Sequence, residues 1–224
     1  MKLYLSSQKI GNFPDKLIEL LGDNKQVVVI ANALDDKGAR YRKTRVEREF
    51  KMLKEIGLIP VELDLRKYFE NSDGLKDFVE KKSLIWIRGG NVFILRRAME
   101  ASNFDSQVLP LIKDGTIAYG GYSAASVIAS RDLWASELID DIYSVPINYP
   151  VNDTPSKGLG LLNFYLVPHF DSTEEWAKNI KKYVKRLKEK NKKFLTLCDG
   201  EVYYCNEQEE GVLRKWKRKI KLKD

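Results

Sequence analysis

Short, wholly apolar runs alternate with amphipathic stretches along most of the chain. Gln26-Val27-Val28-Val29-Ile30-Ala31 and Ser83-Leu84-Ile85-Trp86-Ile87 are apolar almost throughout, as expected of strands covered on both faces. Lys2–Ser6, Ile59–Leu63, Thr116–Tyr119, Asn163–Val167, Phe194–Leu197 and Val202–Cys205 read as further strands, the last two turned by Asp199-Gly200. Between them the apolar period lengthens to that of a helix. Asn12 and Pro14 signal a helix start, with Leu17, Ile18, Leu20 and Leu21 on one face. Val46, Phe50, Leu53 and Ile56 mark a long polar helix stopped at Gly57. Gly74–Glu80, Val92–Glu100, Ala124–Ser130 and Glu174–Lys190 are the other helices, and Asp140–Gly158 is a turn-rich loop on the side where a site is expected. Alternating strands and helices predict an α/β fold, a mostly parallel sheet flanked by helices on both faces. Chemistry in such sheets gathers at the carboxyl ends of the strands.

Composition narrows the class. The chain has 224 residues, 43% of them hydrophobic, enough for one large α/β domain spanning 1–224. No apolar run approaches the roughly 20 residues of a membrane span, so no membrane partner is expected. Met1-Lys2-Leu3-Tyr4-Leu5 turns polar too early for a signal peptide, and Cys198 and Cys205 are too few for a disulfide framework. A cytoplasmic protein with reduced thiols is the expectation. The net charge of +7 is uneven: residues 178–224 hold 16 basic and 7 acidic side chains, and the remainder is near neutral. A solvated helix face and basic tail (about 212–224) explain this better than a phosphate-binding surface. The tail offers one aromatic, Trp216, for base stacking, so nucleic acid is not the expected partner.

Three polar residues fall at strand ends. Ser123, in Gly121-Tyr122-Ser123-Ala124-Ala125, sits where a strand turns into a helix, the setting of a nucleophile elbow. A serine hydroxyl needs a base near neutral pH, and the chain holds one histidine, His169, directly after Pro168. Asp199 at a later strand end can orient the imidazole. The Gly89-Gly90-Asn91 turn lets backbone N–H groups face a ligand closely, with Gly89 and Asn91 expected at the substrate. The N–H groups of Gly90 and Ala124 would together form an oxyanion hole. Neither a Walker pattern nor G-x-G-x-x-G is present, so no nucleotide cofactor is expected.

Leu3–Ser7, Arg88-Gly89-Gly90-Asn91-Val92-Phe93, Gly121-Tyr122-Ser123-Ala124, Gly158–Leu162 with Pro168-His169-Phe170, and Asp199-Gly200 occur in order. Together they resemble the peptidase S51 family, the dipeptidase E or α-aspartyl dipeptidase group, from residue 1 to about 205. The resemblance implies a fold like that of class I glutamine amidotransferases, with Ser in place of their Cys at the elbow. It implies a Ser–His–acid hydrolase acting on small peptides, a monomer or homodimer, without metal or cofactor. It makes Ser123 the nucleophile, His169 the base and Asp199 the acid, with Asp140 or Asp141 as rivals. Two positions depart from the pattern. Ala125 replaces a glycine after the elbow, which matters only if that position needs positive φ or lies against substrate. Thr173-Glu174-Glu175 matches a T-R-E segment whose Arg holds an N-terminal Asp side chain, so Glu174 stands at a substrate-binding position and counts against aspartyl specificity. Two alternatives stay open: a family member acting as a binding or regulatory protein, and nucleic-acid binding through the basic C-terminus.

Overall fold

The computed structural model describes residues 1–150, 153–175 and 177–215. Its centre is a seven-stranded sheet in the order β3-β2-β4-β5-β1-β8-β9. The strands are β1 (Leu3–Ser6), β2 (Gln26–Ile30), β3 (Ile59–Glu62), β4 (Leu84–Ile87), β5 (Ala118–Tyr122), β8 (Val202–Cys205) and β9 (Glu210–Leu213). The first five are mutually parallel, so Ser6, Ile30, Ile87 and Tyr122 finish at one edge. β8 and β9 run antiparallel beyond β1. The apolar runs at β2 and β4 lie inside the sheet and are fully buried from Val27 and Leu84 onward.

Each face of the sheet has its own core. On one, α1 (Pro14–Leu21) and α2 (Ala39–Glu55) place Leu17, Leu20 and Leu53 against Val27, Val29 and Trp86. On the other lie α3 (Leu75–Val79), α4 (Val92–Ala101), α5 (Phe104–Gln107), α6 (Leu109–Lys113) and α7 (Ala124–Ile128), packed on Val28, Ile30, Ile85 and Ile87. A separate parallel pair, β6 (Tyr165–Val167) with β7 (Phe194–Thr196), joins α8 (Ala177–Glu189) in a third apolar cluster. Among the described residues no helix is long and apolar enough to cross a membrane.

Two expectations are corrected. Phe194–Thr196 and Val202–Cys205 do not form a hairpin: the chain leaves the small sheet after β7 and crosses to β1 of the large one. The helix start signalled at Asn12 and Pro14 is present: α1 begins at Pro14 after Phe13 at the cap position, and the Asn12 N–H donates to Gly200 O at 2.9 Å. Residues 104–113, given no element from the sequence, form α5 and α6, interrupted at Val108 ahead of Pro110. Residues 212–213, assigned to the tail, belong to β9, and residues 216–224 lie outside the described residues.

Candidate active site

The strand-to-helix turn after β5 is as sharp as the sequence implies. The strand runs through both glycines to Tyr122, and α7 begins at Ala124. Ser123 between them has φ 57° and ψ −108°, a conformation that costs a non-glycine residue about 1–3 kcal/mol. Gly121 makes the turn possible: its φ is 143°, and a Cβ there would lie 2.2 Å from Ile87 O. Ala125 is buried and helical, so the missing glycine after the elbow carries no backbone penalty.

Tyr122 is clamped from below. Its hydroxyl donates to Glu49 Oε2 at 3.0 Å, and Trp86 Nε1 donates to Glu49 Oε1 at 2.6 Å. Burial pushes the Glu49 carboxyl up from its ordinary value, and these two donors oppose that rise. Glu49 lies on the buried face of a helix read from the sequence as polar. Only its place one turn beyond Val46 marked it.

The residues expected to act as base and acid come from the small sheet. His169 follows β6 by two residues and is buried, with φ 60°, a second strained non-glycine position. Its Nδ1 lies 2.7 Å from Asp199 Oδ1. The Asp199 backbone N–H is fixed by Asp171 Oδ1 at 2.8 Å. Ser7, one residue past β1 and fully buried, accepts the His169 backbone N–H at 2.7 Å. The Ser7 hydroxyl donates to Asp199 Oδ1, also at 2.7 Å. Ser7 lay within the matched segment Leu3–Ser7, but strand-end hydroxyls are too common for sequence to single one out.

Ser123 and His169 line one cavity of about 540 Å³, with Gly90, Asn91, Ala124, Val127, Ile139 and Pro168. The Ser123 hydroxyl and the imidazole face this shared space, and a serine–imidazole contact of this kind often tightens only with substrate. Gly90 and Ala124 reach the cavity as expected, and Gly90 backs onto the Ala33 carbonyl, where a Cβ would clash at 2.4 Å. Gly89 lies against Ser123; a Cβ there would come within 2.9 Å of Ser123 Cβ. Asn91 lines the cavity but is already engaged. It caps α4 by accepting from Phe93 and Ile94 N–H and donates to Asp141 O at 2.8 Å. Glu174 is exposed and not part of the cavity wall.

The wall is acidic. Among the described residues, Asp36, Asp140 and Asp141 line it with one lysine, Lys37, whose Nζ sits 2.7 Å from Asp36. Asp140 Oδ2 accepts the Val92 N–H at 3.0 Å, at the start of α4. Burial, reinforced by Asp36, pushes the Asp140 carboxyl up to about 6 from 3.8. The folded protein therefore holds this proton to higher pH than the unfolded chain. Stability falls as pH rises from about 4 to 6, and the ionised group costs roughly 2–3 kcal/mol at neutral pH. Asp140→Asn keeps an acceptor for Val92. It should melt above the parent at pH 7.5 and together with it near pH 3. An equal difference at both pH values would exclude the buried charge as the cause.

Among the described residues no three His, Cys, Asp or Glu side chains gather as a metal site, and Cys198 and Cys205 are not joined in a disulfide.

Known proteins carry the same pattern. The model of peptidase family S51 matches residues 4–211. Peptidase E of Pasteurella multocida (strain Pm70) is 33% identical over 118 residues, which cover 50% of this chain and 44% of that protein; the match thus spans less than half of the curated relative. A peptidase E candidate from Listeria monocytogenes EGD-e, known from a crystal structure, superposes with a TM-score of 0.75 at 24% identity. That match covers 96% of this chain and 98% of the other. A peptidase from an acI-B1 Actinobacterium superposes at 0.62 with 13% identity, covering 96% of this chain and 87% of the other. These two likenesses establish the α/β fold.

Proposed function

Because the chain belongs to peptidase family S51, we propose that it is a serine-type peptidase that releases N-terminal residues from dipeptides and other short peptides. One observation carries the reading: the His169–Asp199 pair, 2.7 Å apart, opens on the same cavity as a serine held at φ 57°. Ser123 Oγ attacks the scissile carbonyl while His169 Nε2 takes its proton. Asp199 holds the Nδ1 proton and stabilises the imidazolium. The N–H groups of Gly90 and Ala124 receive the oxyanion. His169 then gives its proton to the leaving amine, and water, activated by the same imidazole, releases the acyl group from Ser123.

The acidic wall suits a substrate that presents a cation. Asp36, Asp140 and Asp141 favour the free α-ammonium group of a peptide and disfavour an acidic first side chain. Lys37 is already paired with Asp36. Of the arginines that could supply a cation, Arg96 is bound to Asp105 at 2.5 Å, and Arg88 extends over the Tyr122 ring at 6.0 Å. Arg97 points to the carbonyls of Asp153 and Ile142, and Arg131 lines a different cavity.

A charge-assisted pair for an Asp side chain would be worth roughly 1.5–3 kcal/mol, or about a 10- to 150-fold preference. That preference should be absent. Lys-Leu and Leu-Leu should be cleaved with higher kcat/KM than Asp-Leu, and N-acetyl-Leu-Leu hardly at all. Rapid labelling of Ser123 by a fluorophosphonate tests the mechanism itself. A clear preference for Asp-Leu would show that a cation reaches the site by another route.

A further inference from the structure

The proposed apparatus is split between two sheets. Ser123 leaves the large sheet at β5, whereas His169 and Asp199 leave the small sheet at β6 and β7. Apolar residues such as Leu166 and Leu197 dock the small sheet into the main core, but such contacts are non-directional and do not set a distance to a few tenths of an ångström. At the catalytic edge the join is polar. Ser7 stands at the end of β1, whose Ser6 pairs in register with Tyr122, so Ser7 and Ser123 follow neighbouring strands at one level. Resting on the serine-peptidase reading above, we propose that Ser7 is a positioning residue whose hydroxyl fixes the His169–Asp199 pair of the small sheet at its working distance from Ser123 on the large sheet.

The geometry gives the hydroxyl two tasks at once. Its oxygen accepts the backbone N–H of His169, a residue held at φ 60° that needs outside support to stay there. Its proton goes to Asp199 Oδ1, the same oxygen that faces His169 Nδ1. Alanine at position 7 therefore releases the strained histidine backbone and leaves Asp199 Oδ1 to the imidazole alone. The carboxylate, with one donor fewer, holds the imidazolium more tightly, and the ring is less firmly aimed at Ser123. Among the described residues, the other charged groups around the site are Asp36, Lys37, Asp140 and Asp141 in the cavity wall, Asp171 beside Asp199, and Glu201, whose carboxylate accepts the Cys198 N–H; the substitution changes none of them.

The chain contains one histidine, so its ring resonances need no assignment. In Ser7→Ala, kcat should fall on the order of 10- to 100-fold with KM little changed, as for loss of one or two hydrogen bonds to a charged pair. The midpoint of the His169 ring titration, followed by NMR, should move upward from the parent's. The acidic limb of the kcat/KM profile should move with it. Ser7→Thr, which keeps the hydroxyl, should recover most of both. Unchanged titration and kcat in a folded Ser7→Ala protein would overturn the proposal. So would a loss confined to KM, or a loss of stability with the titration unmoved. The NMR titration needs no substrate, so it reads the role of Ser7 even if Ser123→Ala shows the peptidase reading to be wrong.

Discussion

Ser123→Ala should reduce peptide turnover by about 10⁵–10⁶-fold, the loss expected when the nucleophile of a coupled triad is removed. The fold should be untouched. The Ser123 side chain makes no capping bond to α7, so its hydroxyl does not hold the helix start. Alanine keeps the Cβ and with it the backbone strain at φ 57°. Glycine has no such strain, so Ser123→Gly should be equally inactive yet more stable by about 1–2 kcal/mol. That pairing separates function from architecture. A serine serving only as turn chemistry would show the gain in stability without the loss of turnover. Initial rates on the best dipeptide, with thermal melts of all three proteins, make the test. Turnover surviving in Ser123→Ala beyond trace contamination would end the serine-peptidase reading.

The parts of this site legible in the sequence are those whose residue type is dictated locally. A buried strand ending in Gly-Tyr-Ser before a helical run can only be a sharp turn, and the structure gives it the strained geometry that a nucleophile elbow requires. His169 was accessible by elimination, being the only imidazole. Asp199 was accessible as a strand-end carboxylate. Its local setting was misread, since Asp199-Gly200 turns no hairpin. Strand pairing is a long-range property, and nothing within residues 194–205 records that β7 pairs with β6 and β8 with β1. The same limit hid Ser7 and Glu49, whose partners lie 162 and 73 residues away. It also hid the anchor of the 140–158 loop, where the Tyr149 hydroxyl reaches Asp35 at 2.7 Å across 114 residues. Glu174 is the opposite case: a position matched by motif alone, which the fold leaves exposed and outside the described lining of the cavity.

Asp199→Asn should slow turnover by about 10²–10⁴-fold, and the site's geometry says what decides between the two ends. Ser7 Oγ and His169 Nδ1 both converge on Asp199 Oδ1. An asparagine that keeps its oxygen there preserves both contacts and the Nδ1–H tautomer, and loses only the charge that stabilises the imidazolium. The result is the smaller effect. An asparagine that turns its amide nitrogen to the ring forces the proton onto Nε2, where it blocks abstraction from Ser123, and the larger effect follows. Ser7 biases the outcome toward the first orientation, because its proton already points at Oδ1 and would oppose an amide N–H. The double variant Ser7→Ala/Asp199→Asn lacks that bias, so the amide is free to turn and turnover should fall toward the 10⁴-fold end. The ¹⁵N shifts of the one histidine report the tautomer directly in each protein. Asp140 and Asp141 bind elsewhere, to the N–H groups of Val92 and Tyr143 at 3.0 and 2.9 Å, so their Asn variants should retain the imidazole tautomer and most of kcat. A fully active Asp199→Asn beside a dead Asp140→Asn or Asp141→Asn would move the acid to the loop and leave the 2.7 Å contact of His169 with Asp199 as scaffolding.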